Sequence, residues 1–403
     1  MFTIFFLCVI IELSRRIIYM RYNDFQDLKL SSLGFGTMRL PMKPDGSIDY
    51  ECGGEMVAKA MNGGITYFDT AYRYHQGESE NFCGKVISKY PRNSYMLADK
   101  LPTWLCMSTE DAEAIFAEQL QKCNVEYFDF YLLHNVDEAT WPNIQKLNLI
   151  DFIKEKKASG KARHIGFSVH CQPELLEEIL SKYNDVLEFV QIQLNYFDWE
   201  FKDARALYHV ARKYNKPIIV MEPVRGGMLA NIPSPAVRHI LDKASEDAGQ
   251  PGVSYASYAL RYAEHLEGVV CTLSGMSTVA QMEDNIKTFS GPLLTDCQLT
   301  AIPEAAKTLN SDIIVPCTGC NYCDECPAGI KIPEIFKWYN EAAAKGFHWI
   351  WGSLSAEYEK LGANGNDCLK CGNCESHCPQ KINIIDKLQE IAAKNSELKE
   401  AGE

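Results

Sequence analysis

Eight short apolar runs, each followed by a stretch of helical length, occupy residues 33–275 of this 403-residue chain. They read "LGFGT" (33–37), "ITYFDT" (65–70), "YMLADK" (95–100), "YFDFYLLH" (127–134), "RHIGFSV" (163–169), "FVQIQLN" (189–195), "PIIVMEP" (217–223) and "GVVCTLSG" (268–275). Runs that are apolar on both faces suit parallel strands covered by helices. The stretches between them, such as "TEDAEAIFAEQLQKC" and "PELLEEILSKY", space apolar residues at i, i+3 and i+4 behind acidic or capping residues. Eight such units predict an α/β chain folded as a (β/α)8 TIM barrel rather than an open doubly wound sheet. No Gly-x-Gly-x-x-Gly turn follows an early strand, so the common dinucleotide fold lacks its fingerprint.

Strand signals stop near residue 300, which divides the chain into a barrel (20–300) and a small, α-helical, cysteine-rich C-terminal domain (301–403). Ahead of the barrel lies an apolar extension, 1–19, opening "MFTIFFLCVIIE". It is too short to span a bilayer, and Arg15 and Arg16 follow the apolar run, the wrong order for a secretory signal. It reads as a start artefact or loose tail with Met20 as the domain start; a membrane-surface anchor is the alternative. A net charge of −13 excludes a general nucleic-acid or anionic-membrane binder. Of the sixteen cysteines, eight fall between Cys317 and Cys378 and the rest scatter through apolar segments. That distribution points to a reducing cytoplasm and bound metal, not a disulfide scaffold.

The run Cys368-x2-Cys371-x2-Cys374-x3-Cys378-Pro379 matches the bacterial ferredoxin pattern in full. Its counterpart, Cys317-x2-Cys320-x2-Cys323-x2-Cys326-Pro327, is one residue short in the last gap. In that pattern three cysteines of a run wrap one cluster and the cysteine before proline ligates the other. The crossed reading joins Cys317, Cys320, Cys323 and Cys378 on one [4Fe–4S] cluster, and Cys368, Cys371, Cys374 and Cys326 on the second. Zinc is the competing ligand, since paired Cys-x2-Cys knuckles also bind it. His377, beside Cys378, reads as a neighbour rather than a ligand.

Polar residues stand at the ends of successive runs where apolar residues would normally continue. Asp69, Lys100 and His134 are 31 and 34 residues apart, one βα unit each, which predicts that all three reach the C-terminal mouth. Tyr74 follows in the loop "DTAYRYHQGESE", able to fold back over that mouth. A phenol beside a buried ammonium is expected to have its ionised form favoured, easing proton exchange.

The segment "GITYFDTAYRYHQGESENFCGKVI" resembles the signature of the aldo/keto reductases, and "GKARHIGFSVH" and "GMSTVAQMEDNI" resemble their later cofactor-binding segments. The resemblance runs from about Leu28 to Asn285. It implies Asp69, Tyr74, Lys100 and His134 as a catalytic tetrad with Tyr74 as general acid/base. It further implies NADP or NAD bound extended across the mouth and a small-molecule carbonyl substrate (an aldehyde, a ketone or a quinone-like compound). Ser168 and Gln191 would hydrogen-bond the nicotinamide carboxamide, and Gly275, Met276, Ser277, Gln281, Asp284 and Asn285 would surround the adenine-ribose end. Met221 stands where many relatives stack an aromatic on the nicotinamide, Gln281 where NADPH-preferring members place an Arg, and Val169 where an Asn is common. Gly226 and Gly227 in "VRGGM" suit either a close approach to a pyrophosphate or a plain turn, with Arg225 assisting or exposed. A barrel of this kind with appended clusters resembles a prokaryotic subgroup of the family.

A nicotinamide passes two electrons at once and a [4Fe–4S] cluster takes one. Either a flavin converts between them, or the clusters serve structure, sensing or an external redox protein. The rival reading is an iron–sulfur electron carrier or redox sensor whose barrel binds nucleotide without carbonyl turnover, which leaves the Tyr–Lys pair without a task. A lyase using a cluster as Lewis acid would need an open iron, and eight cysteines fill both clusters.

Overall fold

The structure, a computed structural model, describes residues 20–312, 314–323, 325–344 and 351–402. The apolar extension at 1–19 falls outside the described residues. Eight parallel strands close into a barrel: β3 (Leu33–Gly36), β4 (Tyr67–Asp69), β5 (Met96–Pro102), β6 (Phe128–Val136), β7 (Ala162–Val169), β8 (Phe189–Gln193), β9 (Ile218–Met221) and β10 (Val269–Gly275). Consecutive strands are neighbours, and β10 returns to β3 through Thr272–Gly275 beside Leu33–Gly36. Each strand falls within one of the eight apolar runs or overlaps it, because a strand buried on both faces has no polar period to interrupt it.

Ahead of the barrel, β1 (Tyr22–Phe25) and β2 (Leu28–Ser31) form an antiparallel hairpin that the sequence reading does not anticipate. Its Phe25 is buried, with its ring 5.2 Å from Phe130 and 5.9 Å from Phe189, near the starts of β6 and β8. The hairpin therefore seals the N-terminal end of the barrel over a core of Tyr67, Leu132, Ile219 and Leu273.

Helix starts follow the capping chemistry of the sequence. Asp49 accepts from the amides of Glu51 and Cys52 at the head of helix Tyr50–Asn62. Ser108 and Asp111 form a capping box on helix Thr109–Cys123. Among the described residues, no helix is long and apolar enough to cross a membrane.

The chain separates into two compact units. One holds the residues up to Leu194 with Asp203–Pro223 and Leu260–Leu294; the other holds Asn195–Lys202, Val224–Ala259 and Thr295–Glu403. This partition differs from a single cut at residue 300, because two segments from the later βα units group with the C-terminal region. Within the second unit, both cysteine runs continue as Cys-Pro-x-x-Ile-x-Ile, at 326–332 and at 378–384. Ile330, Ile332 and Ile384 are buried with Ile382 in a core that includes Val315, Phe336 and Leu388. Each repeat then enters a helix, Ile332–Ala344 and Ile384–Gly402.

Helix Glu78–Val86 meets helix Thr109–Cys123 so closely that a Cβ on Gly84 would lie 2.0 Å from the carbonyl oxygen of Lys122. Backbone cannot rotate away as a side chain can. Gly84→Ala should therefore destabilise the barrel unit by about 1–3 kcal/mol, measured by urea unfolding; an unchanged midpoint would mean these helices are not held in contact.

Candidate functional site

Asp69 is the last residue of β4, Lys100 lies in β5, and His134 in β6 pairs in register with Pro102. The sequence expectation that they share the C-terminal mouth is met. The Lys100 ammonium donates to Asp69 Oδ1 at 2.7 Å and to the Thr70 carbonyl at 2.7 Å. It lies 3.4 Å from the Tyr74 hydroxyl and 4.9 Å from the centre of that ring. The Tyr74 and His134 rings meet edge to face with centroids 6.2 Å apart. All four polar groups thus gather within reach of one another.

Their ionisation follows from burial. Burial pushes the Asp69 carboxyl upward, and the Lys100 ammonium draws it part of the way back. Burial and then the Lys100 charge hold the His134 imidazole well below its usual range, so it is neutral near pH 7. Tyr74 requires a correction. Its phenol is pushed well above its ordinary range by burial, then by the charges of Asp69 and Glu222. These outweigh the opposing pull of Arg39. The ionised form is therefore not favoured, and the Tyr74 phenol stays protonated.

Several residues that support this arrangement were not singled out in the sequence. On the far side of β5, Asp99 Oδ1 accepts from the Lys100 amide at 2.8 Å and Gln119 Nε2 donates to the Lys100 carbonyl at 2.9 Å. Gln119 is itself held by Glu80 and Tyr131. Thr37, Thr70 and Ser79 share hydroxyl hydrogen bonds behind Asp69. Trp104 packs 5.1 Å from His134, forming a wall of the mouth. None of these carries a local signal, since each matters only through a partner from another βα unit.

The expected nicotinamide residues are adjacent. Ser168 and Gln191 are register partners on β7 and β8, and Gln193 pairs with Met221 on β9. Gln191 Nε2 meets Met221 Sδ at 3.6 Å, while its buried Oε1 has no hydrogen-bond partner. An amide donor, such as a carboxamide, would satisfy that oxygen. Gly275 is followed by buried Met276 and exposed Ser277, whose hydroxyl donates to the Arg39 carbonyl at 2.9 Å. Gln281 Oε1 accepts from the Ser277 amide at 2.8 Å, and Asp284 is half-buried. Asn285 is turned inward, its amide donating to Ser274 Oγ at 2.9 Å. Arg39, unmarked in the sequence, packs against Gly275 and pairs with Glu222 at 3.7 Å.

In the second unit cysteines of the two runs lie close to one another. The Cys323 thiol is raised by burial and then by the neighbouring Cys320, Cys317 and Cys378. Cys326 shares a cavity with Cys368, Cys371 and Cys374, and Cys323 reaches the same cavity. The Cys374 thiol is pushed up to about 11, chiefly by burial. Among the described residues no three side chains close on a single-ion site, whereas a four-iron cluster needs its thiolates splayed to four corners. The apolar shell and all-thiolate donor set fit such clusters. His377 is exposed and directs Nδ1 to the Asn373 carbonyl at 2.8 Å.

The aldo/keto reductase family model matches residues 32–307, more than half of the chain. The chain belongs to the aldo/keto reductase family. Residues 316–383 match the 4Fe-4S dicluster domain. This aldo/keto reductase, an oxidoreductase with a 4Fe–4S domain, is 24% identical over 319 residues to the uncharacterized oxidoreductase YqkF of Bacillus subtilis (strain 168), covering 70% of this chain and 94% of that protein. It is 24% identical to the L-galactose dehydrogenase of Arabidopsis thaliana, over 64% of this chain and 84% of that one. Against the NADH-specific methylglyoxal reductase of Escherichia coli (strain K12) the values are 23%, 50% and 66%. The structure of aldo-keto reductase AKR11C1 from Bacillus halodurans shares the barrel, with a TM-score of 0.59 at 22% identity over 71% of this chain and 96% of that one.

Removing the ammonium should reveal how Asp69 is held. Lys100→Met leaves a buried carboxylate without its cation, at a cost of about 3–5 kcal/mol at pH 8. Burial then lets folded Asp69 bind a proton that the unfolded chain releases above about pH 4, so stability falls as pH rises. The loss should be smaller at pH 5 than at pH 8 by urea unfolding; equal losses would count against an ionised Asp69.

Proposed function

We propose that the barrel reduces the carbonyl group of an aldehyde, ketone or quinone-like substrate with NADH or NADPH, and that the C-terminal domain holds two [4Fe–4S] clusters. The observation that carries the first part is the Lys100 ammonium, fixed by Asp69 and Thr70 and set 3.4 Å from the Tyr74 hydroxyl. Bound nicotinamide would supply the hydride. Tyr74, kept protonated, gives its proton to the carbonyl oxygen as negative charge develops there. Lys100 steadies the phenolate left behind, and Asp69 keeps Lys100 charged and aimed. Neutral His134 offers a further hydrogen bond to the same oxygen, and Trp104 beside it narrows access to water. Ser168, Gln191, Met221, Gly275, Met276, Ser277, Gln281, Asp284 and Asn285 are the proposed cofactor contacts. Support for Gln191 is its unpartnered buried oxygen.

Cys323 beside Cys317, Cys320 and Cys378, and Cys326 in a cavity with Cys368, Cys371 and Cys374, support two clusters serving electron transfer or structure. Cys317, Cys320, Cys323 and Cys378 would hold one, and Cys326, Cys368, Cys371 and Cys374 the other. Cys371 and Leu369 are exposed at the second site, which suits a redox protein partner in the cytoplasm. A flavin joining hydride chemistry to the clusters is decided by the spectrum of the extracted cofactor.

Anaerobically purified protein should carry about eight irons per chain and oxidise NADH or NADPH when given an aldehyde or quinone. Tyr74→Phe should lower kcat/KM by about 100-fold or more; an unchanged rate removes the acid role. Because the phenol is raised, kcat/KM should hold through neutral pH and decline only on the alkaline side. A rate that climbs into alkaline pH would instead indicate a base. Separately, Cys326→Ser should weaken or abolish the electron paramagnetic resonance signal of one cluster and spare the other; loss of both signals contradicts the crossed assignment.

A further inference from the structure

The segment "VRGGM" presents neither an exposed arginine nor an open glycine turn. Arg225, Gly226 and Gly227 hold successive left-handed φ values of 50°, 66° and 94°. Such a conformation in a non-glycine residue persists only where the surroundings enforce it. Here they do. The Arg225 side chain is wholly buried, and its Nε donates to Asp198 Oδ1 at 2.8 Å. The guanidinium lies 4.7 Å from the centre of the Phe197 ring, and Nη1 meets Met228 Sδ at 3.5 Å. The other carboxylate oxygen of Asp198 accepts from Asn195 Nδ2 at 2.7 Å, and Asn195 Oδ1 accepts from the amides of Phe197 and Asp198. Both charges are thus held in one geometry.

What this buried pair touches is the first cysteine run. Arg225 Nη2 donates to the carbonyl of Pro316, the residue before Cys317, at 3.4 Å. A Cβ on Gly226 would lie 1.8 Å from the carbonyl oxygen of Thr318, the residue after Cys317. Thr318 is itself buried. Cys317 is therefore gripped on both sides, by a guanidinium before it and by a bare glycine backbone after it. All of these residues belong to the second unit.

We propose that the Asp198–Arg225 ion pair seats the first cysteine loop and that its guanidinium raises the reduction potential of the cluster held by Cys317, Cys320, Cys323 and Cys378. The inference rests on the two-cluster reading and goes beyond it. Reduction adds one electron, and so one negative charge, to a cluster. A buried cation stabilises that added charge with little solvent screening, and a buried anion opposes it. The guanidinium contacts the loop directly through Nη2, whereas Asp198 is held on its Nε, so the cation is the nearer partner of the run. Surrounding charges and hydrogen bonds tune a metal centre in this way without ligating it. Arg225 is a positioning and tuning residue, not a ligand.

The test is a redox titration of the full-length, anaerobically purified protein at one fixed pH, followed by electron paramagnetic resonance. Wild type should show two one-electron transitions. Arg225→Met should move one of them to lower potential, and Asp198→Asn, which removes the opposing charge with little change of shape, should move that same one to higher potential. Arg225→Lys should fall between wild type and Arg225→Met. A purely structural role would not give shifts of opposite sign from the two partners. Should Arg225→Met fail to fold, Asp198→Asn decides alone: a single upward shift supports the inference, and no shift or equal shifts of both transitions overturn it. Wild type without two clusters would overturn the underlying reading, whereas unmoved transitions in protein that holds both clusters overturn only this inference.

Discussion

A lysine ammonium buried in a barrel is costly unless its charge is met at once. In this chain Lys100 is fully buried, with an Asp69 oxygen and the Thr70 carbonyl both at 2.7 Å. That requirement orders its neighbourhood. Thr37, Thr70 and Ser79 tie down the strand end that carries Asp69, while Asp99 and Gln119 hold the Lys100 peptide from the other side of the sheet. The closed sheet supplies the rigidity that keeps these groups aligned, and Tyr74 arrives on a loop to complete the set.

The second unit solves a related problem with sulfur. Eight cysteines are brought close in a small region whose own apolar core is modest, packed from isoleucines that follow each Cys-Pro pair and from the two helices they introduce. Clustered thiolates repel one another, which is part of why the Cys323 thiol is pushed up. Bound iron would turn that repulsion into cohesion, because metal ligation requires the deprotonated form and contributes to folding. The Asp198–Arg225 pair adds fixed charge where the first run begins.

Much of this was legible along the chain. Strands buried on both faces leave uninterrupted apolar runs, so each of the eight could be found by pattern alone. Polar Asp69, Lys100 and His134 stood out because they break those runs at the same phase. Cysteine spacing is local, and so is the ligand loop it encodes. The hairpin at Tyr22–Ser31 was missed because its strands are four residues each and partly polar. The ionisation of Tyr74 is not legible because the sequence shows an ammonium nearby but neither the burial of the phenol nor the charges of Asp69 and Glu222 that face it. Arg225 read as an exposed charge or a phosphate aid, since nothing adjacent to it in sequence reveals Asp198 as its partner.

Composition and spacing by themselves determined the barrel class, the polar residues at its mouth and the two thiolate runs, because each depends on periodicity within one segment. Only tertiary structure decided which groups hold the Lys100 peptide, which side of β5 holds Asp99, and that Arg225 is buried against the first cysteine loop. Those outcomes depend on residues far apart in the chain meeting in a low-dielectric interior. There a partner's presence or absence sets both charge state and energy, and no local pattern records it.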